Sequence, residues 1–193
     1  MERVAAALYG LDLLFLLSFQ ILNRDMPVFA RPVSEYGLGR TARLFRVYLI
    51  AGCIAPPILA WQIHASGDPD FPVMLPVYLA LVALGRLGIA IWRSDPHGAA
   101  PTRSGNIHHV ATLLAFTSAF MVVIEATPQL FALHEGARSM ADHVLKYVIS
   151  VSFLAVVLTI SSPMRRWFGL AERVFLWSTA IWFLLATLTL PPL

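Results

Sequence analysis

Two charged residues of this chain, Asp12 and Arg86, lie deep inside apolar stretches. Asp12 stands in Leu11-Asp12-Leu13-Leu14 and Arg86 in Gly85-Arg86-Leu87-Gly88. A carboxylate at the centre of a bilayer costs at least about 2.5 kcal/mol on insertion scales, so it needs a partner or a proton. Counted at the helical rise from the same face, Asp12 is about 15 Å deep and Arg86 about 9 Å deep. A flexible arginine bridges that gap. The plain reading is an intramembrane ion pair that pins two helices. The sharper one is a proton relay, as in a proton-coupled carrier.

A second constellation combines Ser34 and Glu35 with Asp95 and His108. The first pair stands in Arg31-Pro32-Val33-Ser34-Glu35-Tyr36-Gly37; Asp95-Pro96-His97 lies in a later loop, and His108-His109 opens a later apolar stretch. Asp and His are metal-ligand types, and His can serve as a general base with a Glu or Ser assisting. The spacing itself is not diagnostic. Neighbouring histidines on a helix point about 100° apart, so one of the two faces the interior. Glu35, Asp95 and His108 are expected to form one polar cluster, with Arg31 or Tyr36 as supporting donors. That cluster is either a latch between loops or a site in which His108 is base or ligand and Asp95 orients it. His134, Glu135, Asp142 and His143 read as a solvated loop and helix start.

Six apolar stretches must position these groups, approximately Val4 to Leu22, Phe45 to Ile63, Val73 to Trp92, Val110 to Glu125, Leu145 to Ser162 and Val174 to Leu190. About 20 apolar residues make a membrane-crossing helix, and the runs lack the alternation of barrel strands. The expectation is an all-α membrane protein, a six-transmembrane-helix bundle forming a single domain over 1–193. The composition agrees: 13% of residues are charged, about half the fraction of a soluble domain. The first stretch reads as an uncleaved helix and not a signal peptide, because its flank is nearly neutral and five more spans follow. Cys53 is the only cysteine and can form no internal disulfide. Pro56, Pro57 and Pro76 are expected to kink their helices. No Walker loop, dinucleotide glycine pattern, nucleophile elbow or HExxH occurs. All six histidines fall at span ends or in loops, which argues against haem held between spans. The chain names no cofactor and leaves metal binding open.

With six spans, loops one, three and five share a face. It carries Arg24, Arg31, Arg40, Arg43, Arg46, Arg93, Arg103, Arg165, Arg166 and Arg173. The opposite face has only Arg3, Arg138 and Lys146 among six acidic groups. The positive-inside rule puts the Arg-rich face in the cytoplasm and the termini outside, in a multi-pass cell (inner) membrane protein. Membrane-proximal arginines suit anionic lipid, not nucleic acid. Arg40, Arg43 and Arg46 recur every third residue and would share one helical face. They either snorkel to headgroups or, with Arg31, bind an anionic headgroup. No internal repeat of the transporter kind is evident.

The motif Arg31-Pro32-Val33-Ser34-Glu35-Tyr36-Gly37 resembles a signature of the DUF998 family of prokaryotic membrane proteins. Thr102-x-x-Gly105-x-x-His108-x-x-Ala111 and Gly169-Leu170-Ala171-Glu172-Arg173 are similar to its later motifs. The resemblance spans essentially the whole chain, with six spans in the same order. It implies a six-helix bundle of unknown function and points to Ser34, Glu35, Asp95 and His108. Two departures stand out. The family usually has Phe-Pro-x-Asp before that aspartate, where this chain has Trp92-Arg93-Ser94-Asp95. Many members also keep arginines at the termini and even-numbered loops, the reverse of the bias here.

Three functions follow as expectations. The first is a membrane protein that binds lipid headgroups or a membrane partner through its Arg-rich face. The second is a membrane-embedded hydrolase or lipid-modifying enzyme using Ser34, Glu35, Asp95 and His108. The third is a proton-coupled carrier using Asp12. Convergence of Ser34, Asp95 and His108 around a cavity would favour the second; a water-filled path to Asp12 would favour the third.

Overall fold

A computed structural model describes residues 2–96, 98–132, 137–160 and 164–190. Six α-helices account for most of them: α1 (Glu2–Leu22), α2 (Ala42–Ala65), α3 (Leu75–Ile91), α4 (Arg103–Ala132), α5 (Ala137–Ile160) and α6 (Phe168–Thr189). Short 3-10 helices at Val33–Gly37 and Met164–Trp167 interrupt the loops, and no strand occurs among the described residues. Each helix packs on its sequence neighbours, and α6 returns to α1, closing a ring. α4 also touches α6 across the bundle and packs more sparsely on α5 than on α3.

Five of the helices are long and apolar enough to cross a membrane, and α3 is a shorter apolar helix of 17 residues, at the lower limit for a span. Leu14, Ile54, Leu84, Leu113, Val151 and Leu188 stand exposed around the outside. So much exposed apolar surface suits hydrocarbon and not water. The chain is a multi-pass, six-helix membrane bundle.

Several helix ends differ from the apolar runs. α4 begins at Arg103 and α6 at Phe168, well before Val110 and Val174. The reason lies in caps and interior partners. The Thr102 hydroxyl accepts the Gly105 amide at 3.1 Å, an N-cap bond. Glu172 and Arg173 are buried in the bundle and not left outside it. Pro76 occupies the first turn of α3, where its missing N–H costs no hydrogen bond, so it does not act as a mid-helix kink. Pro56 and Pro57 do lie inside α2. Arg40 precedes Thr41 and the start of α2, so it shares no helical face with Arg43 and Arg46. Asp142 and His143 sit in the early turns of α5, matching the helix-start reading, and His143 is exposed; Asp142 is buried, so its solvated reading is corrected. His97, His134 and Glu135 lie outside the described residues.

The α3–α4 contact is built from small residues. A Cβ on Gly85 would lie 2.8 Å from the Ala111 oxygen and 2.8 Å from both the amide nitrogen and the Cβ of Ala115. A Cβ on Gly88 would meet that of Ala111 at 2.7 Å. Close backbone approach of this kind supplies the packing that hydrophobicity cannot supply inside lipid. Gly85→Ala is therefore expected to lower stability by about 1–3 kcal/mol, the usual cost of overpacking, seen as an earlier melt in detergent. Leu84→Ala, on the exposed side of the same helix, is the matching control and is expected to melt close to the parent.

Candidate functional site: the Arg-rich end of the bundle

Loop one folds over the bundle end and is tied to the start of α6. The Arg173 Nη1 donates among three carbonyls, Val28 at 2.8 Å, Arg31 at 2.7 Å and Gly169 at 2.9 Å. Its Nη2 donates to the Tyr36 hydroxyl at 2.9 Å, and the guanidinium lies over the Tyr36 ring. The Val33 amide donates to the Glu172 carboxylate at 2.6 Å. The Leu170 amide donates to the Phe29 carbonyl at 3.1 Å. Gly169 has no room for a Cβ, which would collide with the Arg31 oxygen. From below, Tyr36 stacks on Phe19, with ring centres 5.2 Å apart.

Loop three is held separately. Asp95 accepts the Thr102 amide at 2.9 Å and the Thr102 hydroxyl at 2.7 Å. These two bonds, aided by His109 and His108, hold its carboxyl below the usual carboxylate range. A Cβ on Gly105 would strike the Asp95 carboxylate. His108, three residues on, is buried. Its Nδ1 lies 2.9 Å from the Trp92 carbonyl. A carbonyl only accepts, so Nδ1 carries the proton and Nε2 the lone pair. That Nε2 is buried and has no hydrogen-bond partner.

Ser34, Glu35, Asp95 and His108 all line one cleft of about 500 Å³. The hydrogen bonds at Asp95 and His108 run to Thr102 and Trp92, within loop three and its flanking helix ends. Loop one is tied to α6 through Arg173 and Glu172 and to the start of α2 through the Thr41 hydroxyl, which donates to the Tyr36 carbonyl at 2.9 Å. Arg31 does pair with Glu35, at 2.9 Å, whereas Tyr36 serves Arg173. Of the arginines assigned to headgroups, Arg40 stands 3.9 Å from Asp25 on the surface, and Arg43 is exposed. Glu172 also lines the cleft. The apolar pattern passes over Glu172 and Arg173 as site residues because the sixth run starts after them; a Glu-Arg pair abutting a span is the available signal. Among the described residues, no three His, Cys, Asp or Glu side chains stand close enough to hold a metal ion.

Deeper in the bundle, Arg86 Nη1 lies 2.7 Å from Asp12 Oδ2. Its guanidinium is 4.9 Å from the centre of the Tyr48 ring. Gly52 of α2 leaves space that a Cβ would take from the guanidinium. Asp12, Tyr48 and Arg86 line an inner chamber of about 80 Å³, whose wall Ser34, His108, Thr112, Phe116 and Glu172 share with the cleft.

The model of the DUF998 family, described as a protein of unknown function, matches residues 6–189. The chain belongs to the DUF998 family. No curated protein matches it, and no solved structure does. The three motifs of this DUF998 protein are the contact points just described. Gly169, Glu172 and Arg173 receive loop one, and Thr102, Gly105 and His108 organise loop three.

Two outcomes follow. Arg173→Gln leaves buried carbonyls and the Tyr36 hydroxyl without their donor, and losing hydrogen bonds to a charged group costs about 1.5–3 kcal/mol. Limited trypsin digestion is expected to cut at Arg24 and Arg40 much faster in that variant than in the parent. Asp12→Ala is expected to melt earlier than the Asp12→Ala, Arg86→Leu double variant, because the single change strands a buried guanidinium. Equal melting of the two would remove the energetic case for the pair.

Proposed function

We propose that this DUF998 protein binds phospholipid at its Arg-rich end, drawing the polar headgroup into the cleft between loop one, loop three and the α4–α5 flank. The observation that carries this reading is the two-sided character of the cleft. One side is formed by Val110, Leu113, Val157 and Ile160, all exposed on the outer surface, where acyl chains lie in a bilayer. The other side offers acceptors, at His108 Nε2 and the carboxylates of Asp95 and Glu172, and a cation, Arg165. A phosphate suits Arg165, and a headgroup hydroxyl or amine suits the acceptors. Arg43, Arg46 and Arg166 stand exposed around the same end, where they favour an anionic leaflet. On the same charge argument, this end faces the cytoplasm of a cell membrane and the termini face outward.

A membrane-embedded lipid-modifying enzyme is the second reading, and His108 favours it. An imidazole anchored through Nδ1 with a free Nε2 at a cleft has the geometry of a general base. Ser34 and Glu35 line the same space.

One experiment serves both. Leu113→Trp and Val157→Trp place bulk on exposed positions of the apolar side and are expected to strip co-purifying phospholipid, read by native mass spectrometry, without an earlier melt. Retention of the same lipid complement in both variants would overturn the binding reading. His108→Ala is expected to keep the lipid if the protein only binds, and to change the lipid species recovered from producing cells if it also acts on them.

A further inference from the structure

Three buried oxygens around the inner chamber lack partners, Asp12 Oδ1, the Tyr9 hydroxyl and the Thr179 hydroxyl, as does His108 Nε2 at the wall shared with the cleft. All three residues line the chamber, and each is more than nine-tenths buried. Leaving one such group dry costs about 1–3 kcal/mol, and three in one place call for a common ligand. The space has room for a few waters, since about 10–15 Å³ of it holds one. A metal cation is a poor occupant, because Arg86 stands on the other oxygen of Asp12 and repels it. An anion meets the Asp12 carboxylate itself. Water and the proton fit the donors, the acceptors and the charge.

We propose that the chamber is a hydrated proton-binding site, with Asp12 Oδ1 as the acceptor and the wall shared with the cleft as its access from the Arg-rich end. This stands whether or not lipid occupies the cleft. The groups around the carboxylate come from every neighbouring helix: Tyr9 on α1, Tyr48 and Cys53 on α2, Arg86 on α3, His108 on α4 and Glu172 on α6. His108 and Glu172 are at the shared wall, so a proton arriving from the cleft passes them first. In the uptake step a hydronium in the chamber gives a proton to Oδ1; an O–H bond forms there, and a neutral water remains. Asp12 becomes neutral, and Arg86 keeps its charge. The ionic part of the Asp12–Arg86 bond is lost, while the Tyr48 ring still faces the guanidinium. Protonation at one carboxyl thus loosens the contact that joins α1 to α3.

The test uses the full chain in lipid nanodiscs and infrared difference spectra across a pH titration. The expected result is a protonated-carboxyl C=O band that grows as pH falls, shifts down in D2O, and is lost in the Asp12→Asn, Arg86→Gln double variant. That pairing strands neither charge. Asp12→Glu covers the case in which the double variant fails to fold: it must move the band. Thr112→Phe, in the shared wall, is expected to keep the band and slow its deuteration after rapid mixing with D2O. A titrating band untouched by either Asp12 change, or the absence of any such band, overturns the proton site. Deuteration at parental speed in Thr112→Phe overturns the access route.

Discussion

One buried guanidinium organises the end of the bundle where everything of chemical interest lies. Arg173 is only 4% exposed, and a charge that deep is tolerable only when its donors are used. Its two terminal nitrogens meet that demand, Nη1 by collecting the carbonyls at which loop one turns and Nη2 on the Tyr36 hydroxyl, while Nε stays unpaired; those carbonyls in turn are spared an unpaired burial. The requirement is mutual, so loop one has one place to go. Glu172 extends the same logic by taking the Val33 amide at the start of the 3-10 helix. That short helix then directs Val33 and Tyr36 down onto the aromatic cluster of Phe19, Phe45 and Tyr48. It leaves Ser34 and Glu35 on the cleft. An arginine of α6 thus holds loop one in place along the edge of the cleft.

The number and order of the helices can be read from the apolar runs because lipid imposes a length and a composition on any span. The partnership of Asp12 with Arg86 is readable for a related reason: two lone charges at compatible depths have few other ways to be satisfied. What resists reading is the traffic between loops. That loops one, three and five share a face follows from counting spans. Which helix end each loop meets depends on the ring closing through α6 onto α1, and no apolar pattern encodes that closure. Counting Arg173 among the membrane-proximal arginines therefore misses its burial. The same gap hides what holds Asp95: the loop order sets it beside Glu35 and His108, with which it lines one cleft, but not its anchor on Thr102, seven residues along its own loop.

The family motifs make sense once packing is removed from the account. Gly105, His108 and Ala111 recur every three residues on α4, and Thr102 stands three residues before them at its start. Thr102 caps the helix, Gly105 admits Asp95, and Ala111 fits the glycines of α3. Each of those is satisfied by architecture alone. His108 is satisfied by architecture at one nitrogen only. Packing explains the Trp92 bond and the ring's orientation; it does not explain a basic nitrogen kept buried and unpaired beside a cleft. Where a sequence obeys every local rule but one, the exception marks a site that does something besides folding.

The same reasoning applies one layer down. A Leu at position 12 with a Leu at position 86 would avoid the desolvation cost of the pair, and such replacements of buried ion pairs are often neutral or stabilising. The Asp12–Arg86 contact between α1 and α3 therefore does not require a carboxylate, still less one with a spare oxygen facing a cavity. Nor does it require Tyr9, whose ring already stacks on Phe183 at 5.1 Å and would stack as well without its hydroxyl. The idle oxygens of Asp12, Tyr9 and Thr179 face one chamber, and that chamber shares its wall with the cleft. Two independent surpluses of polarity, one at His108 and one at Asp12, thus meet across Thr112 and Phe116. Any ligand that changes the hydration of one must change the electrostatics of the other, because the medium between them is protein of low dielectric and not bulk water.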